Sequence, residues 1–165
     1  MTHTRIPTPV GELLLVAEDA ALTGLYFPGH RYPPAADSIG DDGGDAVFDQ
    51  TARQLAEYFA GERTDFDLPL APRGDPFSQQ VWAILRAIPF GSTTSYGVIA
   101  RELGNPALAQ RVGQAVGHNP ISIIVPCHRV LGADGSLTGF AGGLERKKFL
   151  LELEEPATAK AERLF

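Results

Sequence analysis

Ile121-Ser122-Ile123-Ile124-Val125-Pro126-Cys127-His128-Arg129-Val130 is the stretch around which the chain is organised. It carries the only cysteine of 165 residues, followed directly by a histidine and an arginine. The apolar, β-branched run ahead of it reads as a buried strand, and Pro126 sets the backbone just before the thiol. Thiolate is the nucleophilic form of cysteine, and neighbouring imidazole or guanidinium groups favour it. A lone thiol delivered beside such groups is a candidate nucleophile. The competing reading is an inert core cysteine, because free cysteine is among the most buried residue types.

The segments on either side bear on that choice. Asp75-Pro76 opens a helix with a capping carboxylate and a proline at the first helical position. Phe77, Val81, Trp82, Leu85 and Ile88 form its apolar stripe, with Trp82 read as packing. Ser95 caps a second helix, Tyr96 to Leu103, which Gly104 ends. Asn105-Pro106 starts a third, reaching about Val116. Two short helices joined by a Gly-Asn-Pro turn form a helix-turn-helix pattern. The second helix of such a pair typically lies in a nucleic-acid groove. Its outward residues are Gln110, Arg111 and Gln114, and small neighbours such as Gly113 permit close approach. A plain helical hairpin is the alternative. Downstream, Val130–Leu137 reads as a hairpin around Asp134-Gly135, and Thr138–Gly143 as a flexible loop. Leu144–Glu154 reads as a last helix. Its acidic end opposes the helix dipole, so a carboxylate there needs another partner. A carboxylate reaching His128 would orient the imidazole and favour its cationic form.

The first half is quieter. Val10–Ala17 and Leu22–Phe27 read as a strand pair around a Glu18-Asp19 turn. Residues 28–46 collect Pro, Gly and Asp and read as a mobile surface loop. Val47–Ala60 has helical spacing, and Asp65–Leu70 alternates as an edge strand. No chemistry-bearing cluster stands out here. A boundary falls near Ala71-Pro72-Arg73-Gly74, giving a domain over 1–72 and another over 75–165.

The net charge of −6 hides an asymmetry. Residues 1–76 hold five arginines against thirteen acids, net −8, whereas 77–150 hold seven cations against three acids, net +4. A basic second half suits a polyanion-facing surface. No apolar run approaches the roughly 20 residues a membrane helix needs. A single cysteine in a chain with no secretory signal points to the cytoplasm. One cysteine and four scattered histidines (His3, His30, His118, His128) lack metal-ligand spacing, so neither metal nor cofactor is expected.

With Asn119-Pro120 upstream and Gly139-Phe140-Ala141-Gly142-Gly143 downstream, Pro126-Cys127-His128-Arg129-Val130 resembles the O6-alkylguanine-DNA alkyltransferase (methylated-DNA–protein-cysteine methyltransferase) family. The likeness extends over nearly the whole chain, through Thr8-Pro9-Val10-Gly11, Ile88-Pro89-Phe90-Gly91, Ser95-Tyr96-Gly97 and Leu150-Leu151-Glu152-Leu153-Glu154. It implies an α+β fold: a small N-terminal α/β domain with a ribonuclease-H-like antiparallel sheet and helix, then a mainly α, winged-helix-like domain with the helix-turn-helix. It implies direct-reversal repair of double-stranded DNA, with O6-alkylguanine flipped out and its alkyl group transferred once, irreversibly, to Cys127. By the same resemblance His128 acts through a water, Glu154 holds His128, and Asn119 fixes the turn before the active-site segment. Tyr96 donates to N3 of the leaving guanine, Phe140 stacks on the flipped base, and the Ala141 N–H meets O6. Carbonyls at Cys127 and Val130 accept from the exocyclic amine. A chain monomeric in solution is implied, with O4-alkylthymine repair and cooperative assembly on DNA as open alternatives.

One departure stands out. The family places an arginine in an Ala-Arg-Ala-Val-Gly run to fill the space of the extruded base. Here the run is Ala109-Gln110-Arg111-Val112-Gly113, and a one-residue step turns a side chain by about 100° around a helix. Either Gln110 fills the gap less firmly or Arg111 swings in. The other function classes are a lesion sensor or DNA-binding regulator without transfer activity, and a cysteine hydrolase. The first is disfavoured by the retained cysteine, the second by the absence of a clear oxyanion hole.

Overall fold

Asp19 and Ala20 both sit at positive φ (52° and 63°), the geometry of a two-residue hairpin turn whose twist matches its strands. In the computed structural model this turn joins β2 (Gly11–Glu18) to β3 (Ala21–Tyr26). The model describes residues 1–156; positions 157–165, the end of the domain expected over 75–165, lie outside the described residues. A strand unmarked by the sequence reading, β1 (Thr2–Thr8), pairs antiparallel with β2 along its whole length. Its alternation is half-buried against exposed and carries little apolar signal.

Residues 28–46 form the expected surface loop, with short regular elements inside it. They contain a single 3-10 turn at Ala36–Ser38 and the two-residue β4 (Asp41–Asp42), which runs parallel to β1. The sheet order is β3-β2-β1-β4, so only its last, shortest pairing departs from antiparallel. Asp45 caps α1 (Ala46–Phe59) by accepting from the Val47 N–H, and Val47, Phe48, Leu55 and Tyr58 face inward. The expected edge strand at 65–70 is not one. The Gln54 amide takes both backbone groups of Asp67, at 2.9 Å each, which removes them from any ladder. Only Leu70 bridges to Leu22.

In the second half α2 (Pro76–Arg86) follows its Asp75 cap, and Trp82 donates to the Ala115 carbonyl at 2.8 Å. The two-residue β5 (Thr94–Ser95) leads into α3 (Tyr96–Glu102), capped by Ser95. Asn105 caps a 3-10 turn, Pro106–Leu108, that runs on into α4 (Ala109–Gly117). The hairpin expected over 130–137 does not form. β6 (Val130–Leu131) pairs parallel with β5 instead, leaving only a closed turn over Gly132–Ser136. The last helix is α5 (Leu144–Glu154).

The result is an α+β fold, a sheet with one helix followed by a helical half. One apolar core runs through both: Leu13, Leu25 and Leu55 join Val81, Leu85, Ile121 and Leu150 in a single cluster. The Leu25 N–H bonds the Pro120 carbonyl at 2.8 Å and the Ser122 N–H returns to the Leu25 carbonyl at 3.2 Å. The sheet therefore buttresses the segment that carries the cysteine. Among the described residues no helix is long and apolar enough to cross a membrane.

Candidate active site

The run from Ile121 to Val125 is not a strand. Asn119 Oδ1 accepts from the Ile121 N–H at 3.0 Å, while its Nδ2 donates to the Val125 carbonyl at 2.7 Å. One side chain thus folds the run back on itself, and the Val125 N–H closes onto the Ile121 carbonyl at 3.0 Å. Inside this loop the Ile124 N–H reaches the Ser122 carbonyl at 2.9 Å, which puts Ile123 at φ 72°. A β-branched residue in that region is strained, and it persists only where its surroundings over-determine it. The β-branched composition that suggests a strand instead reflects burial: Ile121, Ile123 and Val125 are buried almost completely. Asn119 therefore ties both ends of this turn together.

A single 3-10 turn, Cys127–Arg129, carries three buried chemistry-bearing side chains in succession. Cys127 is 5% exposed. Burial pushes its thiol up from the ordinary range, and the Asn119 hydrogen bond, the charge of Lys147 and Ser122 only partly oppose this. At rest the group is a thiol, so the thiolate must be made by proton removal.

His128 is fully buried, and its Nε2 donates to Glu154 Oε2 at 2.6 Å. Because a carboxylate can only accept, this bond fixes the proton on Nε2 and leaves the Nδ1 lone pair free. Nδ1 is the one buried side-chain polar atom without a hydrogen-bond partner among the described residues. Burial lowers the pKa of His128, and the nearby positive charges of Arg129 and Lys147 add to that against the pull of Glu154. The carboxylate does favour the cationic form, as expected, but burial outweighs it and the net shift is toward the neutral imidazole.

Arg129 spends its donors elsewhere. Its Nε donates to Glu154 Oε1 at 2.7 Å, its Nη2 to Oε2 at 3.0 Å, and its Nη1 to the Ile88 carbonyl at 2.6 Å. The hydroxyl of Tyr58, on α1, donates to the same Oε2 at 2.5 Å. Burial alone would raise the Glu154 pKa, yet the bonds from His128, Arg129 and Tyr58 outweigh it and bring it to about 2. Glu154, on the last turn of α5, is thus the anionic centre that explains the unfavourable charge order of that helix.

Two participants escaped the sequence reading. Tyr58 sat within an apolar stripe, although a buried phenol needs a partner for its hydroxyl. Lys147 stands in a basic run between Arg146 and Lys148, yet it is fully buried; burial lowers its pKa and Cys127 opposes that. Its Nζ donates to the Thr138 carbonyl at 3.3 Å. Thr138 Oγ1 in turn bonds the Tyr96 hydroxyl at 2.9 Å. The loop at 138–143 is therefore tied to α3 and α5.

Phe140 packs edge-on against Phe27 at 5.5 Å between centroids. Gly142 makes this possible, since a Cβ there would lie 2.3 Å from the Phe27 ring. The Ala141 carbonyl accepts from the Arg31 N–H at 2.8 Å, whereas its own N–H has no partner among the described residues. The Cys127 carbonyl already accepts from the Val130 N–H, and its second lone pair remains. A cleft of about 400 Å³ is lined by Tyr96, Gln110, Gly113, Gln114, Phe140 and, from the first half, Arg31 and Tyr32. Gly113 lies under Tyr96, a Cβ there falling 3.7 Å from the ring. Arg111 does not share this cleft. Its guanidinium stacks on Phe77 at 4.0 Å, so of the two only Gln110 lines the cleft.

Comparison with known proteins agrees with this layout. Residues 76–156 match the family described as 6-O-methylguanine DNA methyltransferase, DNA binding domain, and residues 1–72 match the ribonuclease-like domain described under the same name. The methylated-DNA–protein-cysteine methyltransferase of Mycobacterium bovis is 49% identical over 156 residues, covering 94% of this chain and 93% of that one. The protein of that name from Methanosarcina acetivorans is 44% identical over 155 residues, covering 93% and 98%. The crystal structure of Mycobacterium tuberculosis OGT in complex with DNA superposes with a TM-score of 0.87 at 47% identity, covering 93% of each chain. A mixed fold with a buried cysteine next to a histidine anchored by a carboxylate fits a cysteine-dependent group-transfer protein. The chain belongs to the 6-O-methylguanine DNA methyltransferase family.

Proposed function

We propose that the protein repairs O6-alkylguanine in double-stranded DNA by moving the alkyl group onto Cys127, once per molecule. The observation that carries the mechanism is the free Nδ1 of His128, the residue after the lone cysteine, with a carboxylate on its opposite nitrogen. His128 takes the thiol proton through a water. The thiolate attacks the alkyl carbon, the S–C bond forms, and the C–O bond breaks with its electron pair leaving on guanine. Tyr96 delivers its hydroxyl proton to N3 of that base, and the proton held on His128 returns by way of solvent to the tyrosinate. The Ala141 N–H meets O6, and donors aimed at developing charge are the strong contributors in such a step. Carbonyls of Cys127 and Val130 accept from the exocyclic amine.

A base inside a duplex is out of reach of a thiol, so the nucleotide must be flipped at a cost of a few kcal/mol. Phe140 receives it in the cleft, and α4 enters the groove with Gln110, Gly113 and Gln114 toward the DNA. The relatives' names and the DNA complex of the Mycobacterium tuberculosis protein support DNA as the partner. Residues 75–165 act as the transferring domain, and residues 1–72 as its support. The chain works as a monomer in the cytoplasm. A thioether product has no hydrolytic group to release it, which makes the reaction stoichiometric. Peptide mass mapping after exposure to a duplex containing O6-methylguanine tests the assignment. One methyl group is expected on the peptide holding Cys127; a methyl elsewhere, or none, overturns it.

A further inference from the structure

The rim of the cleft on the recognition-helix side is uncharged. Gln110 and Gln114 are neutral, Arg111 is committed to Phe77, and no carboxylate lines the cleft. Arg31 is its only lining residue with a full positive charge, and it comes from the first half of the chain. Its place is built rather than incidental. The Arg31 N–H is fixed to the Ala141 carbonyl at 2.8 Å. Its guanidinium lies 5.3 Å from the centroid of Tyr32. Tyr32 in turn stacks on His118 at 3.8 Å and 17°, just beyond the end of α4. Beyond the stack, the guanidinium makes no hydrogen bond or ion pair among the described residues. Five donors thus stand free at the mouth of the cleft.

We propose that Arg31, held by the Tyr32–His118 stack, is a phosphate-binding residue that clamps the DNA backbone beside the flipped nucleotide. It makes the N-terminal half part of the DNA contact, across the cleft from the neutral Gln110. The proposal rests on the alkyl-transfer reading above. A guanidinium matches a phosphate in a bidentate geometry, and a phosphate so neutralised releases counterions.

The test uses the Cys127→Ser chain, which cannot be consumed, and a short duplex with one O6-methylguanine. Its dissociation constant is measured between about 50 and 200 mM salt. One lost phosphate contact makes the log–log slope shallower by about 0.9. Arg31→Gln is expected to show that change with weaker binding, Arg31→Lys to keep the parent slope, and both to melt at the parent temperature because the side chain is exposed. An unchanged slope in Arg31→Gln overturns the proposal. A change shared equally by the lysine variant also overturns it, since it marks a structural effect. Methyl uptake by the unaltered chain, measured alongside, separates these outcomes from failure of the alkyl-transfer reading itself.

Discussion

Glu154→Gln isolates the contribution of the buried relay. Folding lowers the Glu154 pKa from its ordinary 4.5 to about 2. At 1.36 kcal/mol per pH unit, that difference corresponds to roughly 3 kcal/mol of native-state stability. The sign follows from the depressed value. The contribution is complete above about pH 4.5 and fades as the pH falls through 2, because the unfolded chain binds the proton first. A neutral amide in its place leaves the Arg129 guanidinium buried opposite no charge, and breaking a buried pair in this way typically costs about 3–5 kcal/mol. The two routes agree on a loss of about 3 kcal/mol or more, or roughly 10 °C in melting temperature for a chain of this size. Urea unfolding at a series of pH values reads both quantities. The variant should be less stable at pH 7, and its stability should depend less on pH between about 4.5 and 2. A variant within about 1 kcal/mol of the parent, with the same pH dependence, refutes the assignment of Glu154 as the anionic centre.

Three further substitutions probe the surroundings. Lys147→Met removes a positive charge that lowers the Cys127 pKa, so the pH profile of Cys127 alkylation should move to higher pH; a profile unmoved or shifted downward counts against that influence. Asn119→Ala strips two buried backbone groups of their partner and should cost about 2–4 kcal/mol by denaturant unfolding. Gly142→Ala forces a methyl into the Phe27 ring, so about 1–3 kcal/mol of stability should be lost, with changed near-ultraviolet dichroism from the Phe27–Phe140 pair.

Much of this arrangement is written locally. Asp75, Ser95 and Asn105 announce helix starts by their capping oxygens, and all three accept the expected backbone N–H. The unfavourable acid at the end of α5 foretells a distant partner, and Glu154 has three. What stays hidden depends on long-range contacts. Ile121–Val125 looks like a strand because burial and strand formation select the same residues, while the turn is set by Asn119 and by backbone bonds within the run. Val130–Leu131 finds its partner in β5, some 36 residues upstream of it, so an Asp-Gly turn misleads. Lys147 is indistinguishable in sequence from exposed Lys148, and only the packing of α5 separates them. Tyr58 and Arg31 matter because the sheet half folds against the helical half, which no local pattern states.

The central claim is that Cys127 is consumed. A fixed amount of protein titrated with duplex carrying a radiolabelled O6-methyl group measures this directly. Label on protein should rise to one methyl per chain and stop there, with none on Cys127→Ser. Release of label beyond one equivalent, or transfer that survives in Cys127→Ser, contradicts it.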